Sequence, residues 1–262
     1  SDNPLIVHIT NMEDLLKITK NVSKEAFKVA EEYWPGPLTM IFEKNEKVPY
    51  GTTGGLNTVA VRMPSHEIAR AVIDAGGGYI AAPSANTSGR PSPTAAEHVK
   101  EDMDGRIDMI VDGGDVEIGV ESTILDMTVT PPMILRPGAV TKEMLEDLIG
   151  EVAEDVALID PDSKKKPKAP GMKYKHYAPS AKVYVVKAKE ESALAKGVQA
   201  LYDKKEREGK KVEIFCLDAH APSYGARSVC RLGKNLEELA QNLFSSLRHA
   251  DSRGVDVILF ED

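Results

Sequence analysis

The sequence predicts an α/β protein in two parts: a twisted mixed sheet flanked by helices, followed by a smaller parallel βαβαβ unit. Three observations lead to this prediction. Over residues 1–155, short apolar runs are interleaved with helical patterns. Residues 156–181 are rich in Lys, Pro and Gly and carry no apolar period, which is typical of a linker. Over residues 182–262, strand and helix patterns alternate plainly.

The first part begins with PLIVHI, a continuous β-branched run that predicts a short buried strand. Asn11 and Ser23 stand in N-cap positions before the helical patterns MEDLLKITK and KEAFKVAEEYW. The Pro-Gly-Pro at 35–37 ends the second helix. The runs LTMIFEK and TVAVRMP then predict two strands.

Further helices and strands complete this part. SHEIARAVIDAGGG predicts a helix capped by Ser65, and GYIAA is an apolar run before a long polar loop. TAAEHVKEDM predicts a helix in which Thr94 and Glu97 have capping-box spacing. DMIVDGGD and ESTILDM bracket a glycine-rich turn, MILRPGAV predicts a strand, and TKEMLEDLIG a helix ending at Gly150. This interleaving favours a mixed sheet.

The second part reads as strand KVYVVKA, helix SALAKGVQALYDKKEREG, strand KVEIFCL, helix NLEELAQNLFSSLRHA and strand VDVILF. That order predicts a small Rossmann-like unit. It has no G-x-G-x-x-G turn, so dinucleotide binding there is not supported.

Composition excludes several classes of function. The chain has 262 residues, 42% of them hydrophobic, and no apolar run near the ~20 residues that a membrane span needs. There is no signal-peptide pattern, and Cys216 and Cys230 lack metal-type spacing, so we expect a cytoplasmic protein. The net charge of −8 argues against a broad face that binds a phosphate backbone, but it leaves room for a local basic pocket. Because the chain opens on an apolar run and closes on a strand pattern, we also expect neighbouring segments at both ends.

The loop APSANTSGRPSPT over 82–94 is longer than the ~4–6 residues of an ordinary connection. Its hydroxyls, its amide and its backbone N–H groups suit an anion. A turn-rich surface loop with a Thr cap is the alternative. The polar side chains concerned are Ser84, Asn86, Thr87, Ser88, Ser92 and Thr94.

Cationic side chains follow apolar runs at three predicted strand ends, namely His8, Arg62 and Arg136. Sheet edges are where α/β proteins bind ligands, and arginine can grip a carboxylate or phosphate with two donors. The alternatives are an edge arginine paired to a surface Asp and a structural histidine. Ser122 follows a glycine-rich turn, and polar ligand contact suits it better than a nucleophilic role, because no G-x-S-x-G elbow is present. KYKHYAP in the linker could close over a nucleotide as a tyrosine lid or anchor the linker.

These features together predict a pocket with two anion-binding ends, suited to a nucleotide and a small carboxylate. In addition, several motifs occur in an order that resembles the L-threonylcarbamoyladenylate synthase family in its two-domain form, which joins a YrdC-like domain to a small Rossmann-like domain. The resemblance covers nearly the whole chain, and the SAN and HYAP motifs are the strongest evidence for it. The motifs are SDNPLIVHI, WPGPLT, VAVRMP, APSANTSGRPSPT, ESTI, ILRPGA and APGMKYKHYAP.

The resemblance implies a YrdC-like domain over 1–155, a linker or lid over 156–181 and a Rossmann-like domain over 182–262. It also implies a nucleotidyltransferase that converts L-threonine, bicarbonate or CO2, and ATP to threonylcarbamoyl-AMP and pyrophosphate, for modification of position 37 in tRNAs reading ANN codons. Mg²⁺ would be held through the ATP phosphates, and proteins of the threonylcarbamoyl-transfer step would be docking partners. Given the net charge, we expect no strong direct tRNA binding. The implied threonine contacts are His8, Arg62, Ala82 and Ser122; the implied ATP contacts are Asn3, Val59, Ser84, Asn86, Ser92, Arg136 and Tyr177.

One departure from the family pattern bears on activity. The family carries an upstream T-E-T-x-Y-G-L stretch and a K-x-R-P motif, neither of which occurs in these 262 residues. We therefore expect weak nucleotide binding and little turnover from residues 1–262 alone. Two other functions stay open at this point: an RNA-binding or scaffold module of the same pathway, and a carbamoyl-transfer enzyme.

Overall fold

The computed structural model describes residues 3–155 and 178–261, and they group into two compact units. The first unit comprises residues 3–84 and 121–155, and the second comprises 85–120 and 178–261. The sequence patterns did not indicate that the segment 85–120 groups with the second half of the chain. The predicted linker over 156–181 lies almost wholly outside the described residues, so its boundaries stay predictions.

The first unit contains a mixed sheet, which confirms the predicted class. Within the described residues, its strand order is β5-β1-β4-β3-β6-β7-β8, and β2 pairs with β3. Strands β1 and β4, β3 and β6, and β7 and β8 run parallel, and the other neighbours are antiparallel. The strands are β1 (Ile6–His8), β2 (Thr19–Lys20), β3 (Leu38–Lys44), β4 (Thr58–Arg62), β5 (Ile80–Ala82), β6 (Thr123–Asp126), β7 (Met133–Arg136) and β8 (Ala153–Glu154). The helices up to this point of the chain are α1 (Met12–Ile18), α2 (Lys24–Tyr33), α3 (Glu67–Ala75), α4 (Ala96–Met103) and α5 (Lys142–Ile149), of which α4 belongs to the second unit.

Alternation along the strands divides the sheet into two faces of different character. One face packs on α1, α2 and α5 and forms the main core, with Val61, Met40 and Leu125 among its buried residues. The other face carries a smaller apolar patch that includes Ile6, Ala60 and Ile41. The polar side chains of His8, Arg62 and Thr39 lie on this second face, next to the small patch.

Helix caps test the local predictions. Asn11 accepts the N–H of Asp14 at 2.9 Å and Ser23 accepts that of Ala26 at 3.1 Å, so both predicted caps are confirmed. The cap predicted at Ser65 is wrong, because the ring of the next residue, His66, accepts the helix N–H.

The capping box predicted in the TAAEHVKEDM helix is also wrong. Helix α4 begins at Ala96 with Ala95 as its N-cap, so the helix starts later than the Thr94 cap requires. The reason is that Thr94 uses its backbone elsewhere: its N–H donates to the ring of His98, and its carbonyl accepts the N–H of Val116.

The second unit contains a four-stranded parallel sheet in the order β11-β10-β12-β9. Helices α6 and α7 each cover an apolar cluster, which confirms the predicted βαβαβ unit and adds the short strand β11. Of the helices in the described part of the chain, none is long and apolar enough to cross a membrane. The elements are β9 (Lys182–Val186), α6 (Glu191–Arg207), β10 (Val212–Cys216), β11 (Val229–Arg231), α7 (Leu236–Ser252) and β12 (Val257–Glu261).

Candidate active site on the first sheet

Five polar side chains form a row across the first sheet, on the face with the small apolar patch. His8 on β1 is paired directly with Arg62 on β4, and Arg62 is paired with Thr39 on β3. Because paired residues point to the same face, these three side chains share it. Ser122 and Arg136 extend the row over β6 and β7, since Thr39 Oγ1 lies 2.8 Å from Ser122 Oγ.

Ser122 lies at the centre of the hydrogen bonding in this row. Arg136 donates to its carbonyl from Nε at 3.0 Å and to its hydroxyl from Nη2 at 2.9 Å. Arg136 Nη2 also lies 3.5 Å from a Glu121 carboxylate oxygen. The described partners of Ser122 Oγ are a guanidinium and a hydroxyl, neither of which is a general base. The arrangement therefore suits polar contact with a ligand and not a serine nucleophile.

Arg62 is the cation that is available for an anionic ligand. Its Nε donates to the carbonyl of Gly36 at 3.0 Å, which orients the guanidinium. Its two terminal nitrogens make no hydrogen bond to another residue of the described ranges. Burial lowers the pKa of Arg62, Glu121 opposes that effect, and the charge of Arg136 adds to it. Arginine remains charged under such shifts, so a two-donor fork stays open for a carboxylate.

His8 is neutral at physiological pH. Burial, together with the positive charge of Arg62, lowers its pKa to about 4. A neutral imidazole has one donor and one acceptor nitrogen. His8 can therefore bind an amine or hydroxyl without adding a second positive charge beside Arg62.

The loop after β7 fixes the Ser122 end of the row. Thr123 Oγ1 donates to the carbonyl of Val140 at 2.7 Å, and the N–H of Val140 lies 3.1 Å from the same oxygen. A Cβ added at Gly138 would lie 2.4 Å from the Thr123 nitrogen and 2.5 Å from the Glu121 carbonyl oxygen. The glycine of the RPGA motif thus allows backbone to pack directly against backbone at Ser122.

The other predicted site residues of the first unit lie apart from this row. Ala82 is paired with Ile6, one pleat away from His8 on the same face. Val59 lies three residues before Arg62, ~10 Å along the strand, and its side chain belongs to the main core. Asn3 precedes β1, and Ser84 is exposed just beyond β5. Of the predicted site residues that the structure describes in the first unit, the row contains His8, Arg62, Ser122 and Arg136, and Ala82 lies beside it on the same face.

Asn86 and Ser92 belong to the second unit, and Tyr177 lies outside the described residues. Both Asn86 amide hydrogens are used within the loop, on the carbonyls of Thr87 and Arg90, each at 3.0 Å. Its carbonyl oxygen is buried and accepts no hydrogen bond from the described residues. The side-chain amide of Asn86 therefore closes the loop, and its contact with ATP stays a prediction.

Sequence reasoning missed Thr39 as a member of the row and Glu121 as the ion-pair partner of Arg136. Thr39 is fully buried and stands directly before a run of core residues, so its pattern is that of any interior strand position. The signal that could have found it is its place next to PGP in the WPGPLT motif. Glu121 stands directly before Ser122, and its pairing with Arg136 depends on the β6–β7 hairpin.

No cluster of three or more His, Cys, Asp or Glu side chains that could hold a metal ion occurs among residues 3–155 and 178–261. The carboxylate at the row, Glu121, is paired with Arg136.

The chain joins a mixed α/β sheet, with two arginines at its strand ends, to a Rossmann-like unit. Its relatives indicate that the class of the protein is a nucleotidyltransferase-type enzyme. Residues 1–138 match the family described as telomere recombination, and residues 140–262 match the family described as threonylcarbamoyl-AMP synthase, C-terminal domain. The chain belongs to the threonylcarbamoyl-AMP synthase family.

Individual relatives agree over the full length of the chain. The Pyrococcus abyssi threonylcarbamoyl-AMP synthase is 50% identical over 261 residues, which are 100% of this chain and 75% of the relative. The Bacillus subtilis enzyme of the same name is 43% identical, over 100% of this chain and 74% of its own length. A crystal structure of P. abyssi Sua5 complexed with L-threonine superposes with a TM-score of 0.92 at 49% identity, covering 99% of this chain and 75% of that one.

Proposed function

We propose that this protein makes L-threonylcarbamoyl-AMP and pyrophosphate from L-threonine, bicarbonate or CO2, and ATP. The observation that carries the proposal is the row on the first sheet, where a guanidinium with open donors stands between a neutral imidazole and a hydroxyl pair. Family membership and the threonine complex of the P. abyssi relative support the same reaction.

Threonine binding follows from the chemistry of the row. The Arg62 fork is the partner for the carboxylate. His8 and Ser122 offer neutral acceptors to the amine and hydroxyl. The apolar patch one pleat away, which includes Ile6 and Ala60, is the surface for the side-chain methyl. One methyl in such a pocket is worth roughly tenfold in affinity, so serine should bind about tenfold more weakly.

Arg136 is the residue of the row that we assign to the nucleotide. It is buried, and its guanidinium is held by Ser122 and Glu121, so its position is fixed before any ligand arrives. The loop positions Ser84, Asn86 and Ser92 and the positions Asn3, Val59 and Tyr177 stay predicted ATP contacts. Magnesium would enter with the ATP phosphates, since the described residues supply no carboxylate cluster for it.

The steps follow from these placements. The threonine amine adds to CO2 and loses a proton, which gives the carbamate. A carbamate oxygen then attacks the α-phosphorus of ATP, and pyrophosphate leaves with the electron pair of the broken P–O bond. Negative charge grows on the phosphoryl oxygens, where a fixed guanidinium such as that of Arg136 lowers the barrier.

The product is an activated carbamate, so a transfer step to an acceptor must follow. We propose position 37 of tRNAs reading ANN codons as that acceptor and the proteins of the threonylcarbamoyl-transfer step as docking partners. The two cysteines are free thiols, which suits a cytoplasmic enzyme.

Calorimetric titration of L-threonine into the protein, with and without a non-hydrolysable ATP analogue, tests the proposal. We expect threonine-selective binding over L-serine that tightens when the analogue is present. R62K should weaken threonine binding about tenfold, because a lysine cannot reproduce the two-donor fork.

R70K is the matched control for R62K. Arg70 also bonds a backbone carbonyl, that of Thr10, but it lies on α3 and outside the row. Binding by R70K should equal that of the wild type. If the folded wild-type protein binds no threonine, or if R62K and R70K bind it equally, the assignment of the row to threonine is wrong.

A further inference from the structure

A buried carboxylate in the second unit accepts hydrogen bonds from two separate parts of the chain, the loop 84–94 and helix α7. The side chain of Asp102, on α4, is completely buried. Its oxygens accept the N–H of Thr87 at 3.0 Å and bonds from Arg90 and Arg248. Burial alone would raise the pKa of Asp102, but Arg248, the Thr87 N–H and Arg90 together bring it below its ordinary value. Asp102 is therefore charged in the folded protein.

Arg248, on α7, is the central cation of this cluster, and its side chain is almost completely buried. Its Nη2 donates to Asp102 at 2.9 Å and to the carbonyl of Pro91 at 2.6 Å. Its Nε also donates to Pro91, at 3.0 Å, and its Nη1 to Asp102 at 3.3 Å. One guanidinium thus joins the carboxylate of α4 to the backbone of the loop.

The loop that these residues hold is SANTSGRPSPT, the stretch that contains the predicted nucleotide contacts Asn86 and Ser92. Thr87 and Arg90 are bonded to Asp102, and the Pro91 carbonyl is bonded to Arg248. The loop is rich in Ser, Thr and Pro, has no helix or strand of its own, and contains Gly89 with a φ of 94°, so contacts from outside the loop contribute to fixing its conformation.

We propose that Arg248 and Asp102 are positioning residues of the nucleotide loop: they hold residues 86–92 in one backbone conformation, so that its hydroxyl and N–H groups are in place before ATP binds. This inference rests on the proposed function. Ordering a flexible loop at the moment of binding weakens affinity, and a loop ordered in advance avoids that loss. A helix of the Rossmann-like unit thereby contributes to nucleotide affinity through Arg248 without touching the ligand.

The variant R248K tests the proposal, because a single ammonium cannot bond Pro91 and both Asp102 oxygens together. We expect hydrogen exchange of amides in residues 86–92 to accelerate about tenfold, the effect of losing a charge-assisted hydrogen bond. Affinity for a non-hydrolysable ATP analogue should fall by about the same factor. Affinity for L-threonine should stay within about twofold of wild type, since no threonine contact is altered.

R227K is the matched control. Arg227 also forms a two-donor pair with an aspartate, Asp203, at 2.8 Å for both bonds, and has no hydrogen bond or ion pair with residues 85–120 in the described structure. D102N is a second variant that keeps the shape of the buried side chain, and it should reproduce the R248K result. If R248K is not folded, D102N alone decides the test against the same control.

Two results would overturn the inference. In one, the folded variant exchanges loop amides no faster than R227K. In the other, loop exchange accelerates but ATP-analogue affinity equals that of R227K, which would make the cluster a stabilising element only. Failure of the wild-type protein to bind threonine and nucleotide contradicts the proposed function instead, so the two failures are distinguishable.

Discussion

At the scale of single residues, the side chains of His8 and Arg62 share one register position on neighbouring strands. Burial is the larger cause of the low pKa of His8, and the charge of Arg62 is the next. Because the fold keeps Arg62 charged, the imidazole is the group that gives up its proton. The row therefore carries one positive charge at this position and keeps a neutral acceptor beside it.

This pKa predicts how stability and binding depend on pH. The folded-state pKa of His8, about 4, lies below the unfolded value of 6.5, so the unfolded chain binds the proton more readily. The contribution of His8 to the free energy of unfolding should rise as pH increases from 4 to 6.5 and be complete above 6.5. NMR titration of the His8 ring should give a midpoint near 4, and threonine affinity should not change between pH 5.5 and 7.5 on account of this group.

The variant R62Q serves as the control for that titration. Removing the positive charge should raise the midpoint, but the midpoint should stay below 6.5, because burial is the larger cause. A wild-type midpoint near 6.5 would show that His8 is protonated in the mildly acidic range, and a neutral-acceptor role would then be wrong.

Three of the four row residues that sequence predicted end a strand on a polar group, and the fourth, Ser122, was predicted from the glycine-rich turn before it. His8, Arg62 and Arg136 follow apolar runs, and that position alone brings a side chain to a sheet edge. Thr39 could not be predicted in this way, because its partner Ser122 lies 83 positions away and their contact depends on the parallel pairing of β3 with β6. Local patterns carry no information on such a pairing.

At the scale of elements, the connection between β7 and α5 decides whether the Ser122 end of the row can form. Gly138 brings this connection against the backbone of Glu121 to Thr123, and the Thr123–Val140 hydrogen bonds close the contact. The φ of Gly138 is not positive, so space, and not backbone conformation, is the reason for glycine there.

The substitution G138A should therefore move one of the two backbones. We expect a loss of about 1–3 kcal/mol in the free energy of unfolding, the usual effect of overpacking. Threonine affinity should fall too, because Ser122 shifts relative to Arg62. Denaturant unfolding and calorimetry measure both effects.

G51A is the control for G138A. A Cβ at Gly51 would meet nothing within 4 Å, so this variant should stay within about 0.5 kcal/mol of wild type and bind threonine normally. If G138A matched G51A in both measurements, close backbone packing would not be what fixes Ser122.

Elements were predictable where their signals are local. Asn11 and Ser23 cap helices through a bond three residues along the chain, and sequence identified both. The cap predicted at Thr94 does not form, because the backbone of Thr94 is hydrogen-bonded to His98 and Val116 instead. The strands β2 and β8 were missed because each has two residues, too few to show alternation.

At the scale of the whole molecule, the grouping of residues 85–120 with 178–261 has its cause in buried polar contacts. Arg248 and Asp102 are 146 positions apart and bond to each other. Gly119 packs so closely on the backbone of Gln241 that a Cβ there would lie 2.0 Å from its carbonyl oxygen. The sequence could not predict this grouping. The pattern of α7 predicts a helix, but it does not indicate that the helix contacts the segment 85–120.

Two units with separate cores predict a divided response to ligand. The threonine row belongs wholly to the first unit, so threonine should stabilise that unit by about 2.7 kcal/mol at 100 times its dissociation constant. Hydrogen exchange should slow in β1, β4, β6 and β7, and the core strands β10 and β12 of the second unit should exchange as in the free protein. R62K should abolish the slowing at the same threonine concentration. If threonine slowed exchange in β10 and β12 as much as in the first unit, the two units would unfold together. Threonine binds only the first unit, so it can slow exchange in the second only when both unfold in one cooperative step.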